Sequence, residues 1–351
     1  MAINLADKYS SQIRTAYVKE SLVAGHLNDE YDFTGVKTVK IVTPTTVPMN
    51  NYKRVGTNRY GNPTEMQDTV QEMTMTQDKS FALTIDKGNN ADQMNIKGAG
   101  KMLKLQLAER AVPEYDKYCL GVMTEKAGFL VGDTTPLSKS NIVDRISAAS
   151  ARLDDMEVPS DGRTLWITAN GHKMLRQSEE FLAVDKLAEQ SLAKGVVGTF
   201  DNMTVIKVPA SRWPENVNFI IAHKKAVTAP VKLSETKIHQ DPPGISGHLL
   251  EGREYYDCFV IAVKANGIYA EIDTGEGKAV QCAAPVISST GALTCETTGA
   301  EIWYTTDGSD PRYSAAAYRG SSAGNIAGTT VKAYAKKNGM YPSELVTKVL
   351  G

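Results

Sequence analysis

The sequence predicts an α+β fold with a small all-β sandwich at the C-terminal end, and three observations carry that prediction. Helical and strand-like periodicities interleave up to residue 273 without the regular strand–helix–strand repeat of a doubly wound sheet. An extended stretch, 34–88, alternates like strand and is broken by Pro44, Pro48, Pro63, Gly56 and Gly61. After the glycine-containing segment "DTGEGKAVQ" at 273–281, helical patterns give way to short strands and turns. A chain of 351 residues has room for two or three domains. Of its 39 Lys and Arg and 40 Asp and Glu, seven and five follow residue 277, so the tail is net +2 and the rest −3, which agrees with a boundary there.

The elements follow in order. Leu5, Tyr9, Ile13, Tyr17, Val18 and Leu22 form one apolar stripe at helical spacing. A lone amphipathic helix is marginal in water, so the stripe must dock on its own domain or on a neighbouring subunit. In "DTVQEMTMTQDKSFALTID" the alternation runs through Val70, Met73 and Met75, then Phe81, Leu83 and Ile85. The spacing predicts two strands joined by a turn at Gln77-Asp78-Lys79, a long two-stranded arm with a polar tip that is marginal by itself and is laid on another surface. Residues 91–122 read as a long helix capped by Asn90 or Asp92, with Met102, Leu103, Leu105, Leu107, Ala108 and Val112 on its apolar face and a kink at Pro113. Gly98 and Gly100 conflict with its first turns.

Residues 138–157 read as a second helix, capped by Ser140 or Asn141, with Ile142, Ile146, Ala149 and Leu153 on one face. A strand at 165–168, a helix at 170–183, a turn at "KGVVGTF", and strands "MTVIKVP" and "NFIIAH" come next. Beyond them "EYYDCFVIAVKANGIYAEI" reads as a long strand that doubles back at Asn266-Gly267, the strongest short hairpin signal.

Composition narrows the function classes. The hydrophobic share of 42% and charged share of 23% are ordinary for a folded soluble chain. A net charge of −1 provides no global basic field for nucleic acid or anionic membrane, which disfavours a DNA-binding enzyme. No apolar run approaches the roughly 18 residues of a membrane span, and "MAINLADKYSSQ" lacks the apolar core of a signal peptide. The expectation is a protein folded in a reducing cytoplasm. Cys119 and Cys258 then read as buried thiols, while Cys282 and Cys295 could pair but are kept reduced.

A search for chemistry predicts no enzyme, no cofactor and no metal site. The five histidines show no ligand spacing, and there is no nucleophile elbow, phosphate loop or dinucleotide fingerprint. Asp154-Asp155 and Glu179-Glu180 are adjacent pairs, which cannot share a helix face. "DGSDP" at 307–311 reads as turn chemistry rather than a calcium loop, which needs about six or seven oxygen ligands.

The segments "VPSDGRTLWITANGHKMLRQSEEFL", "GVVGTFDNMTVIKVP", "NFIIAHKKAVTAP" and "YYDCFVIAVKANGIYAEI", in that order over 158–275, resemble the major capsid proteins of tailed bacteriophages. The resemblance implies the phage Hong Kong 97-type capsid fold: an N-terminal arm at about 1–45, an extended loop at about 46–88, a peripheral domain with a spine helix at about 89–157 and 251–277, and an axial domain at about 158–250. It implies self-assembly, as pentamers and hexamers, into the icosahedral head of a virion that encloses double-stranded DNA without sequence-specific binding. Because the chain starts directly with its arm, a separate scaffolding protein is expected, together with a portal, possible decoration proteins and no membrane. Expected contacts between subunits are Leu5, Tyr9 and Ile13 of the arm, Phe81, Leu83 and Ile85 of the ribbon, and basic Lys53, Arg54 and Arg59 at the loop. Relatives that crosslink covalently use a loop lysine; Lys53 and Lys79 lie in that region, but no motif marks a reactive pair.

The tail, 278–351, resembles the Ig-like C-terminal module of chitobiase-type enzymes through Pro285, "EIWYTTDGSDP", Tyr318 and "TTVKAYAKKNGMYPS". Its last strands place Val331, Ala333 and Ala335 inward against Lys332, Tyr334 and Lys336, with Asn338-Gly339 as a hairpin turn. Trp303 and Tyr304 fall on opposite faces of one strand: one belongs to the core, and the other is a surface aromatic or part of a glycan or host-surface contact. The expected role of the tail is an outward decoration whose removal leaves assembly intact. The alternatives are an encapsulin-type nanocompartment, a carbohydrate-binding surface protein and, last, a polysaccharide hydrolase.

Overall fold

A computed structural model describes residues 21–31, 37–44, 49–63, 65, 68–92, 98–178, 196–314, 316–325 and 327–351. The arm residues Leu5, Tyr9 and Ile13 lie outside them. The first strands are β1 (Thr38–Pro44) and β2 (Asp68–Thr74), which pair antiparallel with Thr38 opposite Thr74 and Val42 opposite Val70. Then come β3 (Gln77–Asp86), α1 (Lys87–Asp92), α2 (Ala99–Gln106), a π-helical turn (Leu107–Ala111) and α3 (Val112–Glu125).

The arm is therefore a ribbon, but not the one the alternation predicts. β3 pairs with a distant strand, the turn sits at Met75-Thr76 rather than Gln77–Lys79, and the tip is the loop 49–63. A tight hairpin between β2 and β3 needs a left-handed residue, and neither Met75 nor Thr76 has positive φ. Thr76 instead donates its amide and its hydroxyl to Asp257 Oδ2, at 2.7 and 2.9 Å.

The expected long helix also divides. Gly98 stands in extended backbone just before α2, so the glycine conflict resolves as a helix start. Asn90 lies inside the short α1, where the Asn89 amide bonds Asp86 Oδ1 at 2.9 Å, and the cap position of α2 is Gly98 rather than Asn90 or Asp92. The kink expected at Pro113 takes the form of the π turn just before it. A proline has no N–H for the carbonyl one turn back, and the widened turn absorbs the mismatch.

After α3 come β4 (Phe129–Asp133), α4 (Ile142–Asp154), β5 (Arg163–Thr168), α5 (Ala169–Gln177), β6 (Val196–Phe200), β7 (Met203–Val208) and β8 (Val217–His223). The chain continues through β9 (Val227–Thr228), β10 (Val231–Gln240), β11 (Gly247–Tyr256), β12 (Phe259–Val260) and β13 (Ile268–Asp273). A six-stranded mixed sheet runs β4-β13-β8-β5-β7-β6. Helix α3 covers one face through Val112, Cys119, Leu120 and Met123 against Trp166, Ile220 and Ala270. Helices α4 and α5 cover the other through Ile142, Ile146, Leu153 and Leu175 against Leu165, Phe219 and Ile221. Burial on both faces is why "RTLWIT" and "NFIIAH" read as continuous apolar runs rather than alternating ones.

Two turn readings need correction. Asn266-Gly267 makes no hairpin: both residues have negative φ and close a 3-10 turn, Ala262–Gly267, between β12 and β13, which lie in different sheets. "VVGTF" is a strand, not a turn. The turn is Asp201-Asn202, both left-handed at φ 47° and 60°, which joins β6 to β7 with Phe200 opposite Met203.

A second sheet, β10-β11-β3, is antiparallel and packs Ile85 and Leu250 on Leu103 and Leu107 of the divided helix. The C-terminal residues form β14 (Val286–Ile287), β15 (Leu293–Thr294), β16 (Glu301–Thr305), β17 (Tyr318–Arg319), β18 (Thr330–Lys336) and β19 (Val346–Val349). These make the sheets β14-β15 and β17-β16-β18-β19 around Ile287, Leu293, Val331 and Leu350. Val331, Ala333 and Ala335 point inward as the alternation predicts. Gly339 turns at φ 78°, but the whole connection from β18 to β19 spans 337–345. All four cysteines are free, with Cys119 and Cys258 buried in the main core.

Candidate assembly interface

The basic residues Lys53, Arg54 and Arg59 all lie on the exposed loop 49–63. The loop is organised internally: Lys53 N donates to Arg59 O at 3.0 Å, Arg59 Nε to Gly56 O at 3.1 Å, and Gly61 N to Asn58 O at 2.9 Å. Tyr52 and Tyr60 meet edge to face at 5.0 Å. The sequence reading missed the apolar half of this surface. Met49, Val55 and Tyr60 are 99%, 85% and 84% exposed, and Val42 and Val70 are exposed partners farther down the ribbon. The signal was present in two tyrosines bracketing "KRVGTNR", a turn whose residues prefer positive φ. Apolar side chains grouped with cations on a protruding loop mark a surface built to be covered.

The ribbon residues Phe81, Leu83 and Ile85 are not brought to that surface. Ile85 is buried within its own chain, so the expected contact with a neighbour does not stand in this arrangement. Leu83 sits opposite Leu250 and is partly open. Phe81 lies across Gly252, where an added Cβ would come within 2.3 Å of its ring. The pleat explains this: all three share the face of β3 that meets α2 and the π turn.

Two buried carboxylates hold the bases of the extended segments, and neither was singled out from sequence. Asp257 accepts from Thr76, from the Tyr118 hydroxyl at 2.7 Å and from its neighbour's amide, Cys258 N, at 2.8 Å. It thereby ties the ribbon's base to α3. Close by, the Gln71 amide donates to Val260 O at 2.7 Å and accepts from Ala262 N at 2.8 Å. Asp116 is fully buried and accepts from Ser21 Oγ, Leu22 N and Arg212 Nη1, at 2.5, 3.1 and 2.9 Å. It fixes the point where the N-terminal segment joins the body. Burial pushes the Asp116 carboxyl above its ordinary range, and its three donors work against that rise.

Glu254 on β11 is different. Burial, with a smaller push from Glu114, raises its carboxyl to about 7, and its Oε1 has no hydrogen-bond partner among the described residues. It lines a cavity of about 140 Å³ with Lys79, Gln106, Arg110 and Glu114, beside the π turn. Among the described residues no three His, Cys, Asp or Glu side chains converge to hold a metal ion. The two acids of "DGSDP" do turn chemistry: Asp307 accepts from Ser309, and Asp310 grips Arg312. In the same module Tyr304 packs with the core, while Trp303 lies on the opposite face with Tyr334 and Arg319 as its cross-strand neighbours. It is not a solitary aromatic.

With the two sheets, the divided helix and the ribbon in place, comparison with solved structures becomes informative. A structure from Mycobacterium phage Che8 superposes with a TM-score of 0.55 at 17% identity, over 72% of this chain and 91% of that one. The capsid of cyanophage P-SCSP1u gives 0.54 at 11% identity, over 69% and 85%. The mature capsid of bacteriophage PhiM1 gives 0.51 at 13%, over 71% and 84%. The body of the chain has the phage Hong Kong 97-type capsid fold. The divided helix of α2, the π turn and α3 lies within the residues 89–157 expected to hold the spine helix. Only β2 and the tip of the ribbon fall within the 46–88 expected for the extended loop, β1 belonging to the expected arm. The tail is covered separately: the family model of the chitobiase/beta-hexosaminidase C-terminal domain matches residues 287–347. No curated protein matches the sequence.

Proposed function

We propose that this chain is the major capsid protein of a tailed phage, many copies of which close into an icosahedral head around double-stranded DNA. The observation that carries the reading is the loop 49–63: a self-braced, exposed surface of Met49, Val55, Tyr60 and cations that the other described residues leave uncovered. On a capsid-type fold, a neighbouring copy is the natural cover, and repetition of one modest contact over a closed lattice makes it strong. The role is structural rather than enzymatic. Pentamers and hexamers are the expected units, with a scaffolding protein and a portal supplied separately and the DNA held without sequence recognition. The N-terminal stripe of Leu5, Tyr9 and Ile13 belongs to the same proposal. Electron microscopy of the purified protein, alone and with a co-expressed scaffolding protein, tests it. Closed shells are expected, and a chain that stays a monomer or small oligomer under every condition overturns the reading.

A further inference from the structure

The turn between α3 and β4, residues 126–128, and Leu130 just inside β4 present backbone carbonyls at two weak points. One is the C-terminal end of α3, and the other is the outer edge of the six-stranded sheet, since β4 is its last strand. Side chains from the C-terminal module meet these carbonyls one after another. The Tyr313 hydroxyl donates to Lys126 O, and the Arg312 guanidinium donates to Ala127 O and reaches Gly128 O at 3.5 Å. Gln281 Nε2 donates to Leu130 O at 2.9 Å.

The docking is built rather than incidental. Arg312 has only 6% of its side chain exposed, and Asp310 neutralises it along one edge, accepting from Nε at 3.0 and 3.1 Å and from Nη2 at 2.6 Å, which leaves Nη1 for the carbonyls. A guanidinium is buried at such cost only where its charge and its donors are all used. Here the charge also lies at a helix C-terminus, where a cation is favoured. Tyr313 and Tyr341 pack against the main core, the Tyr341 hydroxyl reaches Glu215 O at 3.0 Å, and Arg152 pairs with Glu344 at 3.5 Å. Gly132 leaves room for the approach, because a Cβ there would stand 2.6 Å from Gln281 Oε1.

We propose that the C-terminal module is an edge cover for the shell domain, with Arg312 as its positioning residue and Asp310 as the group that holds Arg312. In this role it seals β4 against strand pairing with other chains and pins the end of α3. "DGSDP" is then the holder of a clasp. The inference does not rest on the capsid reading, because it concerns a contact within one subunit, and it changes the expected result of deleting the tail.

Two experiments test it, the first on the unassembled full chain and the second on a truncated one. Hydrogen exchange is followed at 124–133 in Arg312→Met, Asp310→Asn and Tyr313→Phe, with Arg319→Ala as control, because Arg319 makes only an exposed pair with Glu301. The first two variants should raise exchange there by about tenfold or more, Tyr313→Phe by less, and the control not at all. The loop 49–63 should be unchanged in all four. Separately, a chain ending at residue 277 should form soluble aggregates or mispaired oligomers. Unchanged exchange at 124–133 in Arg312→Met overturns the proposal, and so does a truncated chain that stays monodisperse and as stable as the whole protein.

Discussion

The chain has two projecting parts, the loop 49–63 and the C-terminal module, and they are built on opposite plans. The loop turns its apolar side chains outward and braces its backbone with bonds made inside the loop. The module keeps its apolar residues in its own core and sends its polar side chains into the body, where Arg312, Tyr313 and Gln281 take up main-chain carbonyls. The contrast separates two kinds of surface. One has its partner in the same polypeptide and is finished on folding; the other, on the proposed function, is left open for a partner that arrives later. Sequence alone suggested the tail as a removable ornament, and contacts spread over the arm, the basic residues of the loop and the ribbon's strand residues.

The comparison can be broken or sharpened experimentally. The largest effect is expected from replacing 50–61 by a Gly-Ser linker: assembly is abolished by electron microscopy, while the melting temperature of the unassembled subunit is retained. A large fall in melting temperature would show that the loop is structural within its own subunit. Next, Asp257→Ala strands the Tyr118 hydroxyl, both Thr76 donors and an amide, and should cost about 3 kcal/mol in urea unfolding.

Glu254→Gln should act in the other direction. A carboxyl whose folded value is about 7, above its ordinary 4.5, is protonated in the fold while the unfolded chain has already ionised. Stability therefore falls as pH rises from about 4.5 to about 7 and is flat above. The glutamine variant removes that slope and gains up to about 3 kcal/mol at pH 8, read from urea midpoints at several pH values. A wild-type profile flat across that window would remove the explanation. The smallest effect is expected for Lys40→Ala, whose exposed pair with Glu72 on the ribbon is worth about 0.5 kcal/mol or less.

Local features were legible in the sequence wherever one face of one element settled the matter. The stripe Ile142, Ile146, Ala149 and Leu153 lies buried as its spacing predicts, and so does the alternation of Val331, Ala333 and Ala335. Pairings made at long range were not legible. β3 looks like half of a hairpin, but its partner β11 is more than 160 positions away. Its apolar residues consequently looked available to a neighbour, when Ile85 and Phe81 serve their own core and Leu83 alone stays partly open. Asn266-Gly267 carries the stronger hairpin signal and Asp201-Asn202 the weaker, yet the second makes the hairpin, because flanking strand pairing decides which turn is used. At the candidate interface the cations were visible from composition. Asp116 and Asp257 were not, since a buried acid is recognisable only by donors that other segments bring to it.

Gln71 has a mechanical consequence. Its amide fits between Val260 O and Ala262 N as a strand's backbone would, and so clamps the ribbon part of the way along its length. The ribbon is thus a cantilever whose free span begins beyond that clamp, at Val42 and Val70. Any pull that a neighbour exerts on the tip is delivered to the backbone at 260–262, next to the buried Cys258 and α3. Strain that enters at the periphery of one subunit is carried to its centre.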